Sequence, residues 1–358
     1  MTGHTGSVNI RDVARAAGVS YQTVSRVING HPNVRPSTHR RVLEAIESLA
    51  YSPNRAARAL AGGPVDSVTV LTSNTRLYGQ ASALEGIEEA TRAARFALGV
   101  RVIEAAEPSA VSDAVKRAIE PSGAIIVIAF DKAGVVALDS VPPTVPTAAM
   151  IPAPGAGEVV RKPSVWIDEY QAAKDATNYL LRLGHRSVHH LSIPSWTGRT
   201  QRMSGWRSAL EEAGAAVPKP LLDGWDADWG YDAGRRLAKK ASVTAVLCGN
   251  DDIAIGCIRA MHEAGRSVPD EVSIIGFDDV PLARFYTPAL TTVRQDFSAL
   301  GKVCFAKLLA AFNPGRAQLQ APRLPKAKLI VRESAGPPPR PARRRALAPI
   351  RKPTTKAL

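Results

Sequence analysis

Short apolar runs of strand length alternate with amphipathic helical stretches along most of this 358-residue chain, between residues 65 and 332. Continuous apolar strands separated by amphipathic helices are typical of parallel sheets that helices cover on both faces. At the usual ~100–200 residues per domain, this length is enough for two such lobes. We therefore predict an α/β core of two doubly wound parallel-sheet lobes. Its strands are predicted at 67–71, 100–103, 123–129, 147–150, 188–193, 244–248 and 272–276.

Helices are predicted between these strands, including stretches at 81–98, 171–183, 203–213, 229–240 and 252–264. The irregular segment 141–162, near the middle of the core, is rich in Pro, Gly and Ala. Since such clusters mark loops, we expect the chain to cross between the lobes there or in an adjoining loop.

The first 50 residues follow a different pattern, that of three short helices. We predict the first helix at 10–17, because Gly18 tolerates the left-handed backbone conformation that ends helices. Ser20 is a suitable cap for the second helix, and a third is predicted at about 36–50. Two short helices joined by a tight Gly-containing turn form a helix-turn-helix, so we predict an all-α headpiece at residues 8–52.

Two further segments flank the core, which we place at 65–335. Residues 53–64 are rich in Ala and Arg and too short for a stable free helix, so we predict a linker that becomes helical when docked. Residues 336–358 are Pro-rich and cationic, which predicts a disordered, solvated tail, with non-specific contact to DNA phosphates as the alternative. Residues 1–7 are also expected to be disordered.

The positive charge of the chain is concentrated at its two ends. Residues 1–62 contain eight Lys and Arg against three Asp and Glu, and residues 336–358 contain seven against none. The remaining residues contain 31 against 29, so the core is nearly neutral. A small basic domain beside a large neutral one indicates that the small domain binds a polyanion such as DNA and that the large domain has another function.

Several classes of protein are excluded by what the sequence lacks. The longest apolar run, 124–130, is strand-sized and falls well short of the ~18 residues that span a bilayer. The N-terminus has no apolar secretory core, and the three cysteines form no C-x-x-C pair, which fits a reducing cytosol. We therefore expect a cytoplasmic protein that has no membrane partner.

Catalytic motifs are also missing. The sequence has neither the G-x-S-x-G pattern of hydrolases nor the H-E-x-x-H pattern of zinc proteases. His189 and His190 are adjacent in a predicted strand, so they point to opposite faces and are not expected to share a metal ion. We predict no enzymatic activity, no catalytic or metal-binding residues and no cofactor.

Residues 8–62, which read VNIRDVARAAGVSYQTVSRVINGHPNVRPSTHRRVLEAIESLAYSPNRAARALAG, resemble the DNA-binding headpiece of the lac repressor (LacI/GalR) family. Within them GVSYQTVSRV, at 18–27, looks most like the recognition helix of the family's namesake. The second helix of a helix-turn-helix presents its N-terminal residues to base edges. Once the valines of this helix face the core, Tyr21, Gln22 and Arg26 remain for bases, and Arg26 suits a bidentate contact with guanine.

Other side chains of this segment are short polar or cationic groups that suit phosphates, which set register but not sequence. Arg35 stands where the family usually has a capping Ser, and we expect it to reach a phosphate instead. The linker resembles the family's hinge helix, in which small Ala57 lets two helices approach and Leu60 is implied to wedge into the minor groove. The remaining predicted DNA-contacting residues are Ser20, Thr23, Ser25, Asn29, Arg40 and Asn54.

From residue 65 on, the chain resembles the family's core, which shares the fold of periplasmic sugar-binding proteins. The motifs that carry the resemblance are LRLGH (181–185), RMSGW (202–206), CGNDD (248–252), IGFDD (275–279) and PALTTVRQDF (288–297). Each lies at a predicted strand end or loop, where open parallel sheets bind ligands. The resemblance implies an effector site formed by Ser73, Leu77, Arg202, Trp225, Asn250, Asp278, Gln295 and Phe297.

These residues suit a sugar, because polyols need polar partners on their edges and an aromatic ring on their apolar face. Arg202, Asn250 and Asp278 are implied to hydrogen-bond effector hydroxyls, and Trp225 is implied to stack on the sugar. The segment 145–152, VPTAAMIP, departs from the pattern, because it has no carboxylate where the family's namesake has an aspartate. One hydroxyl acceptor is therefore missing, which weakens the case for a galactoside.

The whole sequence predicts a DNA-binding transcription regulator, a repressor of sugar-metabolism genes whose operator affinity responds to a sugar-like effector held between the lobes. We expect a homodimer on a pseudo-palindromic DNA operator. The alternative is a co-repressor-dependent regulator or an activator that responds to a non-sugar metabolite. A sugar-transport protein would need an export signal in place of the basic headpiece, and an enzyme would need a nucleophile and a base.

Overall fold

The computed structural model of the chain describes residues 8–28, 34–49, 51, 67–120, 123–155, 159–194, 200–222, 224–312, 324 and 326–339. The chain forms two compact units, Met1–Asp66 and Ser67–Leu358. Three predicted segments lie outside the described residues, namely the N-terminus at 1–7, the linker at 53–64 and the tail beyond 339. The predicted DNA contacts Asn29, Asn54, Ala57 and Leu60 lie outside them as well.

The headpiece consists of three helices, α1 (Ile10–Ala17), α2 (Tyr21–Ile28) and α3 (Pro36–Ser48). The side chain of Asn9 caps α1 by accepting two backbone hydrogen bonds. Gly18 ends α1 with a φ of 63°, in the left-handed region that glycine enters without a Cβ clash. The helix-turn-helix prediction is confirmed. One valine from each helix is fully buried in the small shared core: Val13, Val24 and Val42.

The first lobe of the core is a five-stranded parallel sheet with the strand order β2-β1-β3-β4-β5. Helices cover both faces of this sheet, so the side chains of the central strands β1 and β3 are buried throughout. The strands are β1 (Ser67–Thr72), β2 (Ala97–Val102), β3 (Ala124–Ile128), β4 (Thr147–Met150) and β5 (Ser164–Val165). The helices between them are α4 (Tyr78–Ala93), α5 (Pro108–Ile119) and α6 (Lys132–Ser140).

The second lobe is a six-stranded sheet with the order β11-β10-β9-β8-β6-β7, in which β11 runs antiparallel to β10 and the other pairs are parallel. Its strands are β6 (His189–Ser192), β7 (Leu221–Leu222), β8 (Ala245–Cys248), β9 (Ser273–Asp278), β10 (Thr291–Arg294) and β11 (Lys328–Ile330). Its helices are α7 (Glu169–Arg182), α8 (Gln201–Glu212), α9 (Ala227–Ala238) and α10 (Asp251–Glu263). The prediction of two doubly wound lobes is therefore confirmed.

Helix α11 (Phe297–Phe312) returns the chain to the first lobe after β10. It packs along α4, and its Leu300, Phe305 and Leu308 belong to the same apolar cluster as the side chains of β1, β3 and β4. The chain then re-enters the second lobe with β11, which pairs with β10. Each lobe is thus made of segments that are separated in the sequence.

Two details refine the predicted boundaries. Helix α4 ends at Ala93 and not at residue 98, because Arg95 takes a φ of 62° and the next buried side chain, Phe96, leads into β2. The first crossing between the lobes lies between Val165 and Glu169. The irregular segment 141–162 contains β4 and most of the loop before β5, so it adjoins the crossing.

The first residues of the predicted tail lie against the second lobe. The backbone N–H of Gly336 donates to Ser273 Oγ at 2.9 Å, and the carbonyl oxygen of Gly336 lies 3.0 Å from His185 Nε2. Just before it, Ser334 is fully buried, and its hydroxyl donates to the carbonyl oxygen of Ile274 at 2.7 Å. The core therefore extends at least to residue 339, past the predicted boundary at 336, because backbone groups find partners that composition does not reveal.

Replacing Gly256 with alanine is expected to destabilise the second lobe by about 1–3 kcal/mol, because overfilled contacts force packed elements apart. The added Cβ would lie 1.9 Å from the carbonyl oxygen of Ala227 and 2.6 Å from the amide nitrogen of Tyr231, so α9 and α10 would have to separate. Urea unfolding measures the loss. A matched control is Gly336→Ala, whose Cβ would meet Pro269 at an ordinary 3.4 Å. Equal unfolding midpoints for the two variants would contradict the prediction.

Candidate functional site

Helix α2 has a buried face and an exposed face. Val24 and Val27 are buried, whereas Tyr21, Gln22 and Arg26 are exposed. This is the division that a recognition helix requires, because one face must hold the headpiece together while the other meets base edges. The base-reading role of the three exposed residues stays a prediction.

The residues predicted to contact phosphates lie at helix starts and on exposed turns. Ser20 caps α2, since its hydroxyl oxygen accepts a hydrogen bond from the backbone N–H of Thr23 at 3.2 Å. Ser25 lies further along α2 and is partly buried. Arg35 precedes α3 without a side-chain capping bond, and it is exposed, as is Arg40. The exposed positions of both arginines agree with a phosphate-binding role, which stays a prediction.

A cavity of about 1160 Å³ lies between the two lobes, at the carboxyl ends of both sheets. Its size is ample for a small metabolite, since ligand pockets are commonly ~300–1,000 Å³. Gln295 does not line it, but its Nε2 donates to Asp278 Oδ1 at 2.8 Å. The other predicted effector residues do line it: Ser73, Leu77, Arg202, Trp225, Asn250, Asp278 and Phe297.

Arg202 lies in the first turn of α8 and is only 5% exposed. Its Nη2 donates to Glu169 Oε1 at 2.7 Å and lies 3.4 Å from Asp278 Oδ1, and its Nη1 donates to the carbonyl oxygen of Gly249. Its guanidinium carbon stands 4.4 Å from the ring centre of Phe277. Burial alone would lower the pKa of Arg202, but Glu169 and Asp278 raise it on balance. The guanidinium is therefore charged and held in one orientation.

The end of β9 is strained at two consecutive residues. Asp278 has a φ of 105° and Asp279 a φ of 55°, which L side chains rarely adopt. The Asp279 carboxylate is held by Arg294 Nε and Arg332 Nη2, each at 2.6 Å. Burial raises the pKa of Asp278 in spite of the neighbouring guanidinium of Arg202. Such strain is found at ligand sites, where surrounding contacts fix a side chain in an otherwise unfavourable position.

Asn250 joins α10 to the loop that carries Trp225. Its Oδ1 accepts from the backbone N–H of Ile253 at 2.8 Å and so caps α10. Its Nδ2 donates to the carbonyl oxygen of Trp225, also at 2.8 Å. A side-chain amide has two acceptor positions and two donors, so each end keeps one further bond for an effector. Asn250 therefore positions Trp225 and retains the capacity that was predicted for it.

The first lobe contributes a polar group and an aromatic wall. Ser73 follows β1, and its hydroxyl donates to Asp131 and accepts from Gln80 Nε2, which lies 3.1 Å away. Asp131 also caps α6 by accepting from the backbone N–H of Gly134 at 2.9 Å. The ring of Phe297 lies 6.3 Å from that of Tyr78 and 6.2 Å from that of Phe130, between ring centres.

Five carboxyl groups of the cavity were not predicted as site residues: Asp131, Asp139, Glu169, Asp251 and Asp252. Asp131 and Glu169 stand at the starts of helices, where an acidic residue is explained by capping or by the helix dipole alone. Asp252 belongs to the CGNDD motif. Its closeness in sequence to Asn250, a predicted effector residue, was the signal that could have identified it. Asp131 and Glu169 provide acceptors for the site, although the segment 145–152 has no carboxylate.

Asp251, which also lines the cavity, is fully buried. Its Oδ2 accepts from the backbone N–H of Val280 at 2.8 Å, and its Oδ1 accepts from the hydroxyl of Thr292 at 2.5 Å. Burial, followed by the charge of Asp278, raises the pKa of Asp251 well above its usual value. Folding therefore makes Asp251 easier to protonate than an exposed aspartate.

Replacing Asp251 with asparagine is expected to remove a pH-dependent loss of stability. A carboxyl whose pKa is raised by folding stabilises the fold fully at pH values below its unfolded pKa, ~3.9, and this stability is lost as pH rises through the folded pKa. The free energy of unfolding of Asp251→Asn, relative to wild type, should therefore increase with pH above ~4. Urea unfolding over a pH series measures this difference, and a difference that does not change with pH would contradict the assignment.

The described residues hold no group of three or more His, Cys, Asp or Glu side chains arranged to bind a metal ion. Among the same residues, no helix combines the length and the apolar character needed to cross a membrane.

A helix-turn-helix unit followed along the chain by a two-lobed core with a ligand-sized cavity defines a class, the ligand-responsive regulators of transcription. Comparison with known proteins agrees with this class for both units. Residues 9–54 match the family model of bacterial regulatory proteins of the lacI family. Residues 177–335 match the model of a periplasmic binding protein-like domain.

Similar proteins extend over nearly the whole chain. Catabolite control protein A of Priestia megaterium is 32% identical over 316 residues, which are 86% of this chain and 93% of that protein. The lactose operon repressor of Escherichia coli K12 is 29% identical over 345 residues, 95% of this chain and 94% of that one. The crystal structure of the lac repressor dimer bound to operator and the anti-inducer ONPF has a TM-score of 0.78 at 27% identity, covering 92% of this chain and 100% of that chain.

On these matches the chain belongs to the lacI family of bacterial regulatory proteins. It is a DNA-binding regulator of transcription, and the proteins that it matches are regulators and not enzymes.

Proposed function

We propose that this protein is a repressor that binds a pseudo-palindromic operator as a homodimer and changes its operator affinity when a sugar binds between the lobes of its core. The DNA contacts of this proposal are the exposed residues of α2, together with Arg35, Arg40 and the linker. The lac repressor, a relative, is a dimer on its operator, which supports the same assembly here. We place the regulator in the cytoplasm, where its operator lies.

The observation that carries the sugar proposal is the combination of side chains around the cavity. Trp225 offers an aromatic face, and Arg202, Asn250 and Asp278 offer donors and acceptors from the same lobe. Ser73 and Asp131 add polar groups from the first lobe. Sugars need this pairing, because their C–H faces are apolar while their edges carry hydroxyls.

Binding in the cavity affects operator affinity only if the effector prefers one arrangement of the lobes over another. Both lobes contribute contacts, so an effector that touches both discriminates between arrangements that differ in the distance between the walls. The coupling free energy is expected to be ~1–3 kcal/mol, or about 5–150-fold in operator affinity.

The proposal is tested by screening mono- and disaccharides for a rise in the melting temperature of the purified protein. Each sugar that raises it is then added to an operator-binding titration with a symmetric duplex and a scrambled competitor. A sugar that stabilises the protein and changes operator affinity supports the proposal. Stabilisation by non-sugar metabolites alone would favour the alternative, a regulator of another effector class, and tighter operator binding with effector would identify a co-repressor.

A further inference from the structure

The wall of the cavity has an excess of acidic groups. Among the described residues, six carboxyl side chains line it, against two arginines and one lysine. Without Asp251, whose raised pKa favours its neutral form, the acidic groups still outnumber the basic ones five to three. The cavity is a cleft between low-dielectric walls, where such an imbalance repels a ligand of the same sign. Whether an anion can bind therefore depends on how far the three basic groups are free to meet it.

Each of the three basic groups is already engaged or lies in solvent. The guanidinium of Arg202 is bonded to Glu169 and Asp278, as described above. The ammonium of Lys162 donates to the carbonyl oxygens of Leu138 and Val141 at 2.6 and 2.8 Å. Arg161 is exposed, where water and salt screen its charge. Within the described part of the wall, no cation is therefore held ready for an anionic ligand.

One carboxylate on the wall of the second lobe is differently placed. Asp252 lies in the first turn of α10, and it lines the cavity with Trp225 and Asn250. It accepts no hydrogen bond and forms no ion pair with any described residue. Asp252 is exposed at the cavity wall, and its partial desolvation and the nearby Asp226 raise its pKa. Within the described part of the chain, no cation pairs with it. A cationic group on the ligand would provide the positive charge that no described residue provides at Asp252.

The ring of Trp225 lies on the same wall, and the face of an indole ring attracts ammonium groups electrostatically. The cavity wall also holds an unsatisfied hydrogen-bond donor. Nε of Arg202, a residue that is 95% buried, has no hydrogen-bond partner among the described residues. This N–H group needs an acceptor, and an uncharged hydroxyl oxygen provides one without adding negative charge.

We propose that the effector is a polyol without an anionic group, and that the wall formed by Trp225 and Asp252 selects an amino sugar over the corresponding neutral sugar. Sugar phosphates and sugar acids are disfavoured, because they would face the carboxylates while, among the described residues of the wall, Arg202 and Lys162 are already engaged and Arg161 is exposed to solvent. This inference rests on the proposed function, since it names the class of sugar that the same cavity binds.

The test uses matched sets of three hexoses: the neutral sugar, its 2-amino form and its 6-phosphate, for glucose, galactose and mannose. Binding to the full-length protein is measured by calorimetry at neutral pH and low salt. In at least one set, the amino sugar is expected to bind at least about tenfold tighter than the neutral sugar, and the phosphate at least about tenfold weaker, as one uncompensated charge at partial screening requires.

The variant Asp252→Asn should bring the ratio of amino-sugar to neutral-sugar affinity close to one. The matched control is Asp228→Asn, which removes an exposed acidic residue from the first turn of α9 and does not touch the cavity. This control should keep the wild-type ratio. Melting temperatures of both variants confirm that they fold, and the ratio itself is independent of the fraction of folded protein.

Three outcomes would overturn the inference. A phosphate that binds tighter than its neutral sugar, or an amino sugar without preference in every set, leaves the sugar proposal standing but refutes the charge selection. If Asp252→Asn keeps the wild-type ratio of amino-sugar to neutral-sugar affinity, Asp252 is not the residue that selects the amino sugar. Absence of binding by every member of all three sets contradicts the proposed sugar effector, and the inference falls with it.

Discussion

Replacing Arg202 with alanine is expected to abolish the effect of the sugar on operator binding and to lower the stability of the core by about 3 kcal/mol, the lower end of the range for a broken buried ion pair. The guanidinium is 5% exposed, and its loss leaves the carboxylates of Glu169 and Asp278 without their cation. The lower end applies because the Glu169 side chain is 20% exposed and is partly solvated by water. Urea unfolding and operator titrations with and without sugar measure the two effects.

The variant Arg202→Lys separates these two roles. Lysine keeps the positive charge but lacks the planar fork that reaches Glu169, Asp278 and Gly249 together. It should recover much of the stability while the sugar response stays impaired. A sugar response that persists unchanged in Arg202→Ala would remove this residue from the effector site.

Replacing Arg26 with alanine is expected to weaken operator binding by about 2–6 kcal/mol, because each bidentate base contact contributes ~1–3 kcal/mol and a symmetric dimer makes it twice. Affinity for random DNA should fall much less, since only one charge per headpiece is lost. Arg26 is on the exposed face of α2, away from the buried valines, so the headpiece should remain folded. Titrations with operator and with scrambled duplex provide the comparison.

The matched control for this experiment is Arg15→Ala. Arg15 lies on α1, its side chain is 81% exposed, and it pairs with Asp12 at 3.2 Å. The substitution Arg15→Ala removes the same charge at a position outside the predicted DNA contacts. The affinities for operator and for random DNA should therefore fall alike and only slightly. Equal losses on both duplexes for Arg26→Ala would show that this arginine contacts phosphate and does not read a base.

The sequence predicts the alternating architecture well, because buried parallel strands leave continuous apolar runs such as 124–130. The sequence does not predict a strand that is very short, or a helix that has few polar side chains. Strand β7 has only two residues, and β10, TTVR, has no apolar run. Helix α11 has only three polar side chains, Ser298, Lys302 and Lys307, because it packs against both α4 and the sheet, and so its helical period is weak.

Some residues of the effector site could also be predicted from the sequence, and others could not. Arg202, Asn250 and Asp278 were named from the resemblance of their motifs to those of the family, and these motifs were expected at strand ends and loops, which parallel sheets bring together at one edge. Gln295 follows a strand as well, but it reaches the cavity only through Asp278. The acidic excess of the wall could not be foreseen, because Asp131, Glu169 and Asp252 come from three elements whose proximity depends on how the two lobes face each other.

The position of α11 in the chain has a consequence for synthesis on the ribosome. The first lobe receives Leu300, Phe305 and Leu308 only after nearly all strands of the second lobe have been made, and the second lobe receives β11 later still. Neither lobe can close its apolar interior while translation is in progress, although multidomain chains commonly fold one domain at a time from the N-terminus. The nascent chain must therefore keep two unfinished interiors apart until β11 has been made, and the headpiece, whose core is complete by Tyr51, is the part that can fold early.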